Sequence, residues 1–228
     1  MIMEWTCSTP IILLRGKHNM VTKSAKKAQI RTLIMNAAHA YAKELAGKVF
    51  LYVYGNDYLE ISFRKECFLH LTGVDTSLSA NDFYKKAKSG KLNDKQFFFS
   101  PSHSMGVAKK KLPCLIRLPE LTSTMVCILK DMTTVTLMYK IGVTNLEFTL
   151  GVTENVDAKG NKIDNLYLPR TLRVKDRSVE RSKDGDIVDF IFMREAVTDI
   201  YKTQTFADSN KKIPRVIENM IDSSFYQE

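Results

Sequence analysis

The chain has 228 residues, enough for one large domain or one domain with appendages, and a hydrophobic fraction of 44% suffices for a sizeable core. Lys and Arg number 34 against 25 Asp and Glu, a formal charge of +9 that favours a polyanionic partner such as RNA, DNA or an acidic protein, although a merely soluble basic protein shows the same balance. No apolar run approaches the ~18 residues of a membrane span, and Ile11-Ile12-Leu13-Leu14 is too short for a signal segment, so a soluble cytoplasmic chain is expected.

Residues 1–19 are expected to form an extended arm, with a single domain over 20–228. Lys23 to Ala46 reads as a long helix: Ile30, Leu33, Ile34, Ala37, Ala38, Tyr41 and Leu45 recur at three- and four-residue spacing on one face, and Gly47 stops it. Val49–Tyr54 and Tyr58–Arg64 alternate around Gly55-Asn56-Asp57, the pattern of a hairpin. Ser79 caps a helix over Ala80–Ser89, with Asp82 at the third position. Phe83, Tyr84 and Ala87 face inward there, and Lys85, Lys86, Lys88 and Lys91 form an outward basic patch. Phe97-Phe98-Phe99 reads as a short buried strand. Pro101 opens an irregular or helical segment that ends in a second basic patch, Lys109-Lys110-Lys111, and Pro113 and Pro119 bracket Cys114–Leu118.

From Met125 the pattern turns to strands: Val126–Leu129, Thr136–Lys140 and Glu147–Val152, three in a row, imply an antiparallel sheet. Asp157–Asn165 is a loop or hairpin tip. Leu166–Val174 is an extended run with Pro169 at an edge or bulge, and Arg177–Gly185 is a charged exposed segment. Ile187–Met193 and Thr198–Phe206 read as the last strands, and Asn210–Asp222 as a closing helix with Ile213, Val216, Ile217, Met220 and Ile221 on one face. No repeat, low-complexity tract or Gly-rich linker forces a second domain.

The segment from Phe63 to Val74 holds the most informative residues. Its middle reads as one short helix, with Phe68 and Leu71 on one side and Gly73 as the stop, and inside that apolar turn sits His70, with the Thr72 hydroxyl two residues on. A histidine here can titrate near neutral pH and move a proton; the competing reading is a core histidine satisfied by a backbone carbonyl. Phe68-Leu69-His70-Leu71-Thr72-Gly73-Val74, followed by Asp82-Phe83-Tyr84-Lys85-Lys86 and Gly90-Lys91-Leu92, resembles the phage-associated branch of the barnase–EndoU–colicin–RelE-like nucleases. The best part of the resemblance covers about Val49 to Leu92; onward to about Phe206 it fits in the order of elements. It implies an α+β fold, helices packed on an antiparallel sheet, and metal-independent ribonuclease activity.

RNA can be cut without a metal when a base takes the 2′-hydroxyl proton, cations stabilise the phosphorane and an acid protonates the leaving 5′-oxygen. His70 is the candidate acid or base. Arg170, Arg173, Arg194 and Lys202 lie on or beside late strands as candidate cations, and Tyr201 is a candidate weak acid. Thr72, Lys85, Lys86, Lys109 and Thr203 are candidate substrate contacts; singly, each cation or hydroxyl reads more readily as a surface cation or a sheet-face hydroxyl. In a regular strand Arg170 and Arg173 point opposite ways, so a bulge after Pro169 is needed for both to reach one site. A second catalytic histidine is not evident. That departs from the EndoU pattern and favours a RelE-like mechanism of cations and one weak acid.

Neither metal nor cofactor is expected. Cys7, Cys67, Cys114 and Cys127 form no Cys-x-x-Cys pair and read as reduced, mostly buried thiols, and His18, His39, His70 and His103 are scattered. P-loop, Rossmann, nucleophile-elbow and zinc-protease motifs are absent, which argues against nucleotide hydrolysis and α/β-hydrolase chemistry. The expectation is therefore an RNA-cleaving nuclease or toxin of phage or mobile-element origin. The alternative is a non-catalytic basic protein that binds nucleic acid or inhibits a host defence protein; a virion structural protein comes third. An acidic inhibitor or host protein is a further expected partner.

Overall fold

A computed structural model describes residues 22–133, 138–174 and 185–226. The expected arm over 1–19, the Thr136-Leu137 start of one expected strand and the charged segment from Arg177 lie outside the described residues.

Helix α1 (Lys23–Glu44) begins where the Thr22 hydroxyl accepts the Ala25 amide at 3.2 Å. Its expected stripe is buried: Ile30, Ile34, Ala37, Ala38 and Tyr41 are all within the core, and Leu45 continues it. The stripe packs on α3 (Ala80–Lys88) and α4 (Met105–Ile116) as well as on the rings that follow the first hairpin. The Tyr41 ring meets Phe63, Phe68 and Tyr84 edge-on at centroid distances of 6.1, 5.5 and 5.9 Å. Helix α1, α3 and the short helix that carries Phe68 are thereby fastened to one aromatic knot, at separations favourable for edge-to-face rings.

The sheet is built from β1 (Lys48–Tyr54), β2 (Asp57–Ser62), β5 (Cys127–Thr133), β6 (Met138–Thr144), β7 (Phe148–Val156), β8 (Lys162–Val174), β9 (Asp186–Ile187), β10 (Phe190–Glu195) and β11 (Thr203–Ala207). Its order is β11-β10-β1-β2-β8-β7-β6-β5-β9. All pairs are antiparallel except β2 with β8, which meet in parallel at Ile61 and Tyr167. The two short strands β3 (Asp75–Thr76) and β4 (Phe97–Phe98) pair separately. The fold is thus α+β with a mostly antiparallel sheet, as the sequence pattern indicates.

Alternation along β1 divides the interior in two. Phe50, Tyr52 and Tyr54 join the main core with the helices. Val49, Leu51 and Val53 join a smaller core on the other side, with Phe190, Phe192, Tyr201, Ile217 and Ile221. The sheet also curls. β9 pairs with β5 while β10 pairs with β1, and only Val188 and Asp189 separate them. The Val188 amide donates to the Val126 carbonyl at 2.9 Å and the Asp189 amide to the Val53 carbonyl at 2.8 Å. β1 and β5 are five strand positions apart, about 24 Å in a flat sheet at ~4.8 Å per step. Yet Lys130 Nζ on β5 stands 5.1 Å from the centre of the Tyr54 ring on β1.

Two expectations need correction. The segment Asn210–Asp222 is not a helix: it holds a single 3-10 turn over Arg215–Ile217, and another over Ser223–Tyr226 follows. Pro214 works against a helix here, since its ring carries no N–H and crowds the preceding turn. Of the expected apolar face, Ile217 and Ile221 bury in the smaller core and Ile213 and Met220 pack partly on it, while Val216 is exposed. Conversely, α4 runs through Pro113 to Ile116 rather than ending before it.

Gly73 ends helix α2 (Cys67–Thr72) with φ of +72°. A Cβ there would lie 3.0 Å from Lys111 Cδ and 3.2 Å from Val107 Cγ1, so glycine also lets α4 approach. Gly90 has a similar φ of +70° and open space around it. Gly90→Ala should cost only the left-handed backbone penalty, about 1–2 kcal/mol. Gly73→Ala should cost measurably more in urea unfolding, because α4 must shift. Equal losses for the two variants would show that the close approach is unimportant.

Candidate active site

Helix α2 has its Phe68 and Leu71 side chains in the main core, which leaves His70 facing β8, the strand it packs against, partly covered and partly open to solvent. Opposite, β8 carries the irregularity that the Arg170–Arg173 spacing requires. Thr171 pairs with Gly151 and Pro169 with the next residue, Val152, so Arg170 is an unmatched extra residue. Pro169, which has no N–H to give a ladder, sits beside the break. The extra residue resets the alternation, and Arg170, Thr171 and Arg173 all line one cleft of about 860 Å³.

Arg170 Nη1 lies 3.1 Å from His70 Nε2. A guanidinium only donates, so Nε2 is the acceptor and the imidazole proton is on Nδ1. Burial first, then the charges of Arg170 and His103, hold the His70 pKa below the ordinary histidine value. The neutral ring, with its Nε2 lone pair, is the favoured form.

The cleft contains a second histidine that sequence reasoning missed. His103 Nδ1 is 2.7 Å from Asp75 Oδ1. A tight turn positions it: the His103 amide donates to Ser100 Oγ at 3.2 Å, and the Ser100 amide to the His103 carbonyl at 3.2 Å. The Ser100 hydroxyl and the His103 ring together hold the Asp75 carboxyl below the usual carboxylate range. Lys111 also reaches the cleft from α4; burial, with Arg173 adding repulsion, lowers its pKa to about 8.

The other residues singled out in the sequence lie elsewhere. Thr72 is fully buried, donating to the Leu69 carbonyl at 2.7 Å and accepting the Val74 amide at 3.4 Å. It shapes the end of α2 and does not line the cleft. Tyr201 is in the smaller core, its hydroxyl 2.5 Å from Glu60 Oε1. Burial and that bond raise its pKa, so it holds its proton far more tightly than a free phenol. Arg194 joins the same group, 3.8 Å from Glu60 and stacked over the Tyr201 ring at 5.2 Å. Lys202 and Thr203 are exposed at β11. That strand is four positions from β8 in the sheet order, and neither residue lines the cleft. Lys85 is exposed and Lys86 half-buried on α3, and Lys109 is exposed on α4; none lines the cleft.

The sign of the His70 shift gives a direct check. A lowered pKa keeps the ring neutral where an ordinary histidine, at ~6.5, would be half protonated. Arg170→Gln removes one of the two cationic influences and leaves burial in place, so the His70 NMR titration midpoint should rise. An unchanged midpoint would show that the guanidinium does not face the ring.

The described residues contain no grouping of three or more His, Cys, Asp or Glu side chains suited to a metal ion, and no helix long and apolar enough to cross a membrane. Comparisons with curated proteins and with solved structures find no match. A family model described as phage-Barnase-EndoU-ColicinE5/D-RelE like nuclease 4 matches residues 33–210. The match spans α2, β8 and every cleft residue described above, and the chain belongs to this family of phage-associated nucleases.

Proposed function

We propose that this nuclease cuts RNA, without a metal ion, by turning the ribose 2′-hydroxyl on the adjacent phosphate, and that it acts as a toxin in the cell that contains it. The observation that carries the reading is the His70–Arg170 contact, which keeps a neutral imidazole beside a cation in a cleft that also holds the His103–Asp75 pair.

His70 Nε2 takes the proton of the 2′-hydroxyl. The 2′-oxygen forms a bond to phosphorus, and the bond from phosphorus to the 5′-oxygen breaks. Arg170, Arg173 and Lys111 offset the charge that builds on the phosphorane oxygens. His103, held by Asp75 through Nδ1, gives its Nε2 proton to the leaving 5′-oxygen. The products are a 2′,3′-cyclic phosphate and a free 5′-hydroxyl. Tyr201 and Lys202 have no part in this scheme, and two histidines replace the single weak acid that the sequence favoured.

One observation favours a second reading, a basic protein that binds without cutting. The Arg170 guanidinium occupies the lone pair that the base needs, so His70 is idle until a phosphate draws the guanidinium away.

Purified protein incubated with labelled RNA in EDTA separates the two. The catalytic reading expects cleavage to a cyclic phosphate, no cleavage of the DNA counterpart, and a loss of about 10²–10⁴-fold in His70→Ala and His103→Ala. His70→Gln should be nearly as slow as His70→Ala, because glutamine bonds but carries no proton. Salt-sensitive binding with no cleavage would establish the binder instead.

A further inference from the structure

The sequence suggests that Phe97, Phe98 and Phe99 are buried together, but their rings part company. Phe97 is 1% exposed and Phe99 packs partly on the core, while Phe98 is 48% exposed. Alternation along β4 sends residues 97 and 98 to opposite sides. Phe98 lines the same cleft as His70, His103 and Arg170. Its register partner is Asp75, the carboxylate that holds His103. Residues directly opposite in an antiparallel pair share a face, with Cβ atoms about 5 Å apart. An exposed aromatic ring therefore stands beside the Asp75–His103 pair, in a cleft whose other wall, β8, supplies Arg170 and Arg173.

We propose that Phe98 is a base-stacking platform, and that the substrate is unpaired RNA whose nucleobase next to the reacting phosphate lies on this ring. The proposal rests on the reading of the cleft as an RNA site. A cationic groove that tracks the backbone together with an aromatic face for the base is the general arrangement for gripping single strands. Every base has a π-face, so stacking on Phe98 sorts unpaired from paired strands rather than one base from another. A base inside a duplex has both faces covered and has nothing to offer the ring.

The test uses an oligonucleotide of 2′-O-methyl ribose carrying 2-aminopurine, which lacks the attacking hydroxyl and so reports binding apart from cleavage. Fluorescence titration should show Phe98→Ala binding the single strand about 5- to 150-fold more weakly, the range typical of one lost base–aromatic stack. Phe98→Trp should bind as tightly as the natural protein or more so. Phe98→Leu, which keeps an apolar side chain without a π-face, should behave like Phe98→Ala. The same oligonucleotide annealed to its complement should bind the natural protein and Phe98→Ala alike. Circular dichroism melts confirm that each variant is folded. Single-strand binding unchanged in Phe98→Ala, or Phe98→Leu equal to the natural protein, would overturn the platform. A natural protein that cuts RNA while Phe98→Ala binds undiminished overturns the platform alone. One that never cuts, yet loses affinity in Phe98→Ala, leaves the platform standing and removes the catalytic reading. No binding of any strand removes both.

Discussion

The composition of the cleft depends on one extra residue in β8. Without the break at Arg170, side chains 170 and 173 would leave the strand on opposite sides, and the cleft would hold one guanidinium in place of two. Pro169 makes the break natural, because a residue without an N–H leaves a gap in any ladder it joins. The bulge also turns Arg170 toward α2, close enough for its guanidinium to reach His70. A local backbone irregularity thereby sets the tautomer of a residue 100 positions earlier in the chain and adds to the burial that keeps it neutral.

The curl of the sheet decides which candidates cannot take part. With β9 bonded to β5 and β10 to β1, the late strands are drawn round to the β1 end rather than laid beside β8. Tyr201, bridged to Ile221 just ahead of β11, enters the smaller core, where Glu60 and Arg194 satisfy its hydroxyl and ring. These residues form a compact group around a buried phenol. Breaking it would expose the smaller core, so its chemistry belongs to stability.

Much of this could be read from the sequence, and the rest could not for identifiable reasons. Periodicity located α1, the first hairpin and α3 because each has a buried face of regular spacing. Pro169 marked an edge or a bulge, and a bulge was the condition for Arg170 and Arg173 to reach one site. The Asp75–His103 pair was invisible: its members are 28 residues apart, and they meet only because β3 and β4 pair and the Ser100 turn folds back. The closing helix was misread because its apolar spacing is real while Pro214 denies it a continuous backbone. Lys111 was read as one of three equivalent surface lysines, yet the glycine at position 73 lets α4 come near enough to turn that one inward.

The contact between Arg170 and His70 also orders the events that the proposed chemistry needs. A cation on the base lone pair is unfavourable for protonating the ring but suited to receiving an anion. When a phosphate enters, its oxygens compete for the guanidinium with far more charge than a neutral imidazole can offer. The same movement that pairs Arg170 with phosphate uncovers Nε2 where the 2′-hydroxyl arrives. Burial remains after the cation leaves, so the ring is still reluctant to carry charge in the ground state. It becomes a good proton acceptor only as the phosphorane develops negative charge nearby. On this account the base is uncovered by the group it acts upon, and the lowered pKa of His70 keeps it ready at neutral pH.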